Sequence, residues 1–118
     1  MIELEDRIVH FAARCIKVCA ALPKNAVGSV SLADQMFRSS TSIAANYAEA
    51  CEAESAKDFV HKLKVAMKEL SETRIWLRLI GEAGYIENAK LADLVGESRE
   101  LSRILSASVA TTKKKIRG

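Results

Sequence analysis

Apolar side chains recur along this chain at alternating steps of four and three, the spacing that lines up one face of an α-helix. Leu4, Ile8, Phe11, Cys15, Val18 and Leu22 make the first stripe, and Pro23, the only proline, closes it. Proline lacks an amide donor and disfavours helix in the residue before it. Residues 23–31 read as the one sizeable loop, and Ser31 with Asp34 three residues on has the form of a capping box. A second stripe runs through Leu32, Met36, Ser39, Ile43, Asn46 and Ala50, and it is unusually small and polar. Ser55 and Asp58 form another capping signature before Phe59, Leu63, Ala66, Leu70, Thr73, Leu77 and Ile80. Gly84 stops that third helix by accepting a left-handed conformation. Leu91, Leu94, Ser98, Leu101, Leu105, Ser108 and Thr112 give a fourth, with Asn88 as its expected cap.

Four amphipathic helices, at about 3–22, 32–53, 56–83 and 88–113, are joined mostly by short connections, so neighbours run antiparallel. The 3.5-residue period predicts left-handed packing near +20°. The expected fold is all-α: one antiparallel up-down-up-down four-helix bundle spanning residues 1–118. Composition agrees, with 49% hydrophobic residues, 28% charged, five glycines and one proline in 118 residues. No run of about 18 uncharged apolar residues exists to span a membrane. The start, Glu3-Leu4-Glu5-Asp6 after Met1-Ile2, fits no secretory or transit signal, so a cytoplasmic protein is expected.

The charge is uneven. Residues 1–58 carry 6 basic and 8 acidic side chains, whereas residues 59–118 carry 12 basic and 7 acidic. A basic second half is compatible with an anionic partner without requiring one. Cys15, Cys19 and Cys51 cannot pair off into a closed disulfide framework. Cys15 and Cys19 lie one helical turn apart, but no Cys or His stands at the spacing that would complete a zinc site. They read as small core residues of a reducing compartment.

Helical bundles often hold metals, yet the di-iron pattern of Glu-x-x-His on two helices is missing. His10 and His61 are the only histidines, and His61 has Asp58, a helix-cap position, three residues before it. No nucleophile elbow, phosphate-binding glycine loop or dinucleotide fingerprint occurs. No cofactor and no catalytic residues are assigned, and the chain is expected not to be an enzyme.

Three surface features carry the functional reading. Arg38, Ser42, Asn46 and Glu49 share one side of the second helix, with Glu69, Glu72 and Arg74 as candidate partners across the hairpin. A binding row is one reading; a structural polar network of Arg38, Ser42, Asn46, Glu49 and Glu72 that fixes helix register is the favoured one. Lys57, Lys64 and Lys68, with His61, fall within roughly 40° of a common line on the third helix, opposite its apolar stripe. With Lys113, Lys114, Lys115 and Arg117 they make a basic surface that would neutralise phosphates without reading bases. The bland alternative is a solvated face and a complemented helix dipole. Finally, Ile75, Trp76 and Leu79 lie off the core stripe, so that the third helix is apolar over too wide an arc for one bundle. A homo-oligomer contact through these three residues competes with Trp76 capping an irregular core.

The stretch Arg38-Ser-Ser-Thr-Ser-Ile-Ala-Ala-Asn46-Tyr-Ala-Glu49-Ala, then Ser55-Ala-Lys-Asp58-Phe59, then Lys68-Glu69-Leu-Ser-Glu72-Thr-Arg-Ile-Trp76-Leu77, resembles the bacterial four helix bundle protein family. This is also called the S23 or 23S rRNA intervening-sequence protein family. The resemblance covers roughly residues 5–110 and is strongest from Gln35 to Ile86. Its most recognisable element, Ser-Ile-x-x-Asn-x-x-Glu, is kept at Ser42, Ile43, Asn46 and Glu49, while Ala50 and Cys51 replace the glycine and small polar residue of many members. The resemblance implies a homopentameric ring of up-and-down bundles, encoded within inserts in ribosomal RNA genes, with no enzymatic activity. The accessory variability proteins of diversity-generating retroelements are similar in fold, and that group binds nucleic acid and a reverse transcriptase. Self, structured RNA or DNA, and a protein such as a polymerase are therefore the expected partners, with no membrane among them. The leading reading is a bundle that binds nucleic acid through backbone charge; the alternative is a protein-docking scaffold with no nucleic-acid contact.

Overall fold

The computed structural model describes residues 3–118, so the first two residues of the expected domain lie outside it. It contains four helices and, among the described residues, no strand: α1 (Leu4–Ala21), α2 (Ser29–Cys51), α3 (Ala56–Glu82) and α4 (Asn88–Arg117). Each helix packs on the one before it, α4 also meets α1, and among the described residues the backbones of the diagonal pairs stay more than 8 Å apart at their Cα atoms. That is the closed order of a four-helix bundle with an up-and-down path. The α2–α3 seam is the most extensive and the α1–α4 seam the thinnest. The molecule is a rod of 54 × 23 × 22 Å.

The 4-3 stripes meet on the axis. Ile8, Phe11 and Cys15 of α1, Met36 and Ile43 of α2, Leu63, Leu70, Leu77 and Ile80 of α3, and Leu101 and Leu105 of α4 are buried in one continuous cluster. Full burial of such a side chain contributes about 1.5–3 kcal/mol, so these positions supply most of the drive to fold. Among the described residues, no helix is long and apolar enough to cross a membrane.

The helix ends refine the sequence reading. α1 stops at Ala21, just ahead of Leu22-Pro23. Ser55 caps α3 by accepting from the Asp58 amide at 3.1 Å. Gly84 follows α3 at φ 75°, and the Tyr85 amide reaches back to the Ile80 carbonyl at 3.0 Å, closing the helix through a left-handed residue. Three ends differ. α2 begins at Ser29 rather than 32, because Gly28 at φ 73° turns the chain and its carbonyl already accepts from the Leu32 amide. The Ser31–Asp34 signature therefore lies inside the helix. Asn88 is the first residue of α4 rather than its cap, which is Glu87. α4 also runs on to Arg117, since its terminal lysines are good helix formers that complement the carboxyl-terminal dipole.

A polar layer crosses this apolar axis at mid-height. Ser39, Thr73 and Ser98 occupy core-stripe positions and are fully buried. The Thr73 hydroxyl donates to the Glu69 carbonyl at 2.9 Å, so the 2.8 Å contact between the two hydroxyls is donated by Ser39. Thr73→Val removes both bonds of that short chain. It should lower stability by about 1 kcal/mol, whereas Ser39→Ala, which leaves Thr73 its carbonyl, costs less. Denaturant unfolding of the two variants measures the difference.

Candidate functional site

The surface chemistry of the bundle is decided by where its carboxylates point. On the α2–α3 seam Arg38 of α2 donates to Glu69 at 2.9 Å and to Glu72, both on α3, and Lys62 of α3 reaches Glu49 of α2 at 2.8 Å. On the α1–α4 seam Arg7 grips Glu97 through two bonds of 2.7 and 2.9 Å, and Arg14 reaches Asp93 at 2.8 Å. The remaining pair, Arg103 with Glu100 at 3.1 Å, lies within α4. The paired carboxylates of α3 thus face α2, and Asp93 and Glu97 of α4 face α1. Among the described residues the α3–α4 seam has no ion pair at all.

Cations collect there instead. Arg74 of α3, half-buried, turns toward α4, where it donates to the Ser98 and Ser102 hydroxyls at 3.4 and 3.3 Å. Burial first, then the charges of Arg99 and Arg78, hold its guanidinium below the ordinary arginine value. Nearer the carboxyl end of α4, the Lys64 and Lys113 ammoniums stand side by side. That contact, with Arg117 adding its charge, pulls Lys113 below the ordinary lysine value. Lys64 and Lys68 also rim an open groove of about 630 Å³ on the outer face of α3, together with Met67, Ser71 and Glu72. Lys57 in the first turn of α3, and Lys114, Lys115 and Arg117 at the end of α4, are exposed.

The structure therefore brings Lys64 together with Lys113 and Arg117, joining the α3 ridge to the α4 terminus. It also adds Arg74, Arg78 and Arg99, which the sequence reading did not assign to this surface. Arg74 was expected across the α2–α3 hairpin; it faces the other way because it lies two residues, about 200°, from Glu72.

The polar stripe of α2 does not form one internal network. Arg38 joins Glu69 and Glu72 at the surface, with its side chain 49% exposed. Asn46 donates to the Ser42 carbonyl of its own helix at 2.9 Å, and Glu49 is taken by Lys62. Residues spaced over three turns reach different partners on α3, so the stripe resolves into separate contacts. Ile75 and Leu79 stand on the outer face of α3, each 46% exposed. Trp76 is half-buried and packs against the core, and its buried indole N–H lies near the Glu72 carboxylate without forming a well-aligned hydrogen bond among the described residues. Cys15 is buried, which pushes its thiol up to about 12, and the Cys19 Sγ donates to the Ala33 carbonyl.

The family described as 23S rRNA-intervening sequence protein matches residues 3–107. The chain belongs to that family. A crystal structure of a family relative, a protein with unknown function from the S23 ribosomal protein family of Bacteroides thetaiotaomicron VPI-5482, shares 30% identity and superposes with a TM-score of 0.80. The match covers 91% of this chain and 98% of that one. Neither description names an activity. No curated protein matches the chain.

The α2–α3 ion pairs have a pH signature. The hydrogen bond from Arg38, reinforced by its charge, holds Glu72 below the usual carboxylate range. A carboxylate whose folded value is depressed contributes stability above its unfolded value and loses it as pH falls through the folded one. The stability difference between the protein and an Arg38→Gln variant should be flat near neutral pH. It should shrink below about pH 4.5, as Glu72 takes up its proton and that part of the contact is lost. Thermal melts of the two across pH 7 to 2 check this.

Proposed function

We propose that this protein is a non-enzymatic, cytoplasmic homo-oligomer that binds structured RNA or DNA through its phosphate backbone. What supports this is the α3–α4 face, where Lys64, Lys113 and Arg117 converge and, among the described residues, none of them forms an ion pair. Clustered cations that repel one another in the free protein gain most from a polyanion, which replaces mutual repulsion with released counterions. Lys57, Lys68, Lys114 and Lys115 extend that surface along α3 and to the carboxyl end of α4. The contacts fall on phosphates rather than bases, since no aromatic platform lies among these lysines.

Each phosphate neutralised contributes about −0.9 to the slope of log affinity against log salt. Fluorescence anisotropy with a structured RNA and a DNA duplex should give a slope near −3 if Lys64, Lys68 and Lys113 each neutralise one phosphate. Lys64→Glu with Lys113→Glu should keep the helical content and weaken binding at least about tenfold, reducing the slope by about two. Unchanged affinity would remove the surface from consideration.

Ile75 and Leu79, one turn apart and half-exposed beside Trp76, favour self-association, with a pentamer as the expectation from the family resemblance. The same apolar patch supports the second reading, a scaffold that docks a polymerase or other protein, in which case binding is insensitive to salt. Ile75→Glu with Leu79→Glu should convert an oligomer to monomers in light-scattering mass measurements. A wild-type mass equal to one chain at micromolar concentration would refute the interface.

A further inference from the structure

Above the lysine cluster, the same seam opens into a groove of about 370 Å³ between α3 and α4. Leu77, Leu91 and Val95 make its apolar floor, while Arg78 of α3 and Arg99 of α4 stand on its two sides. Among the described residues neither arginine forms an ion pair, although Glu82 lines the groove with them. Arg74 adjoins them, close enough that the charges of both are felt at its guanidinium. It is anchored by two long hydrogen bonds to serine hydroxyls, and one of these, Ser102, donates to nothing among the described residues.

The second observation is Gly96, which lines this groove from the interior of α4. Gly81 of α3 has a packing reason to lack a side chain, because a Cβ there would run into Asn88. Gly96 has none: a Cβ built on it meets nothing within 4 Å. Glycine inside a helix is about 1 kcal/mol worse than alanine, so an unforced glycine at this place is a local loss of stability. It leaves bare backbone facing the groove that Arg78 and Arg99 also line, the arrangement that lets a ligand approach closely.

We propose that Arg78 and Arg99, on the two sides of the groove that Gly96 lines, form with the adjoining Arg74 a binding site for a phosphate group. Guanidinium forks recognise phosphate through paired hydrogen bonds, and an arginine with free donors supplies such a fork. The charge count selects the anion: with Glu82 lining the same groove, three arginines leave about two positive charges, which a carboxylate ligand half neutralises and a phosphate monoester, at about −1.5 to −2 near neutral pH, matches. The apolar floor receives whatever the phosphate is attached to. A small phosphorylated compound and a nucleic-acid strand present the same group, so the site does not depend on the nucleic-acid reading above.

Calorimetric titration of the full chain with pyrophosphate at fixed ionic strength tests the proposal. A parallel titration uses a short single-stranded DNA. Arg78→Gln with Arg99→Gln alters two exposed side chains and should leave the melting temperature within a few degrees. It should weaken pyrophosphate binding at least about tenfold. Gly96→Glu should act in opposite directions, raising the melting temperature of the free protein by several degrees while abolishing binding. A gain in stability with a loss of binding cannot be a folding defect. Loss of pyrophosphate binding assigns the site to small phosphate compounds. Binding of the DNA alone, lost in the arginine variant, assigns it to a strand. If neither ligand binds more weakly to the arginine variant, or if acetate competes with pyrophosphate at equal concentration, the proposal is wrong. The variants at Lys64 and Lys113 report on the nucleic-acid reading separately, so failure of one leaves the other standing.

Discussion

Carboxylate placement is the constraint on which the surface of this bundle depends. α3 and α4 lie side by side along the rod, and each turns its ion-paired carboxylates toward its other neighbour. Glu69 and Glu72 serve Arg38 on α2, and Asp93 and Glu97 serve Arg14 and Arg7 on α1. Exposed ion pairs add little to stability individually. Their larger effect here is allocation, because a carboxylate engaged on one seam is unavailable to the next. Two seams are laced by opposite charges, and the α3–α4 seam between them carries a line of cations from Arg78 and Arg99 through Arg74 to Lys64 and Lys113.

The core leaves α3 and α4 little freedom to rotate and relieve this. Their stripes, Leu63 through Ile80 and Leu91 through Leu105, are buried against two neighbours at once. A one-residue rotation of either helix would carry a leucine into water, at a cost well above anything an exposed ion pair returns. The Ser39–Thr73 contact adds a directional element at mid-height, since two hydroxyls must meet at hydrogen-bond distance inside an apolar axis. Hydrophobic register therefore sets the charge pattern. The cationic seam follows from which residues happen to flank the stripes.

This explains how far the sequence could be read. Number of helices, their core faces, the Ser55 cap and the Gly84 stop were legible because each depends on residues close in sequence. The start of α2 was not, because the left-handed Gly28 competes with a plausible capping pair at Ser31 and Asp34, and the backbone turn prevails. The lysine ridge of α3 was visible on one helical wheel, but its junction with Lys113 depends on the phase of α4 against α3. That phase is a tertiary fact. Arg74 shows the difficulty most clearly. Its wheel position separates it from Glu72, yet only the packing of α4 shows that serine hydroxyls, and no carboxylate, await it there. The stripe from Arg38 to Glu49 misled for the related reason that a shared face does not mean a shared partner.

An uncompensated cationic seam survives in a folded protein because its cost is small where water and salt reach it. At physiological ionic strength the Debye length is about 8 Å, so the exposed lysines and arginines repel one another only at short range. The repulsion that matters is confined to close neighbours such as Lys64 with Lys113 and Arg74 with Arg78 and Arg99, the places where depressed proton affinities are found. These are also the places where a bound anion recovers most, since it cancels repulsion and excludes the water that screened it. Oligomerisation through Ile75 and Leu79 would present several such seams on one particle. Effective concentration then favours a polyanion over a small ion, because one strand can engage neighbouring copies in succession. A seam weak for a single phosphate would become strong for a chain of them, so on this reading the assembly state of the bundle would set which phosphate ligand it prefers.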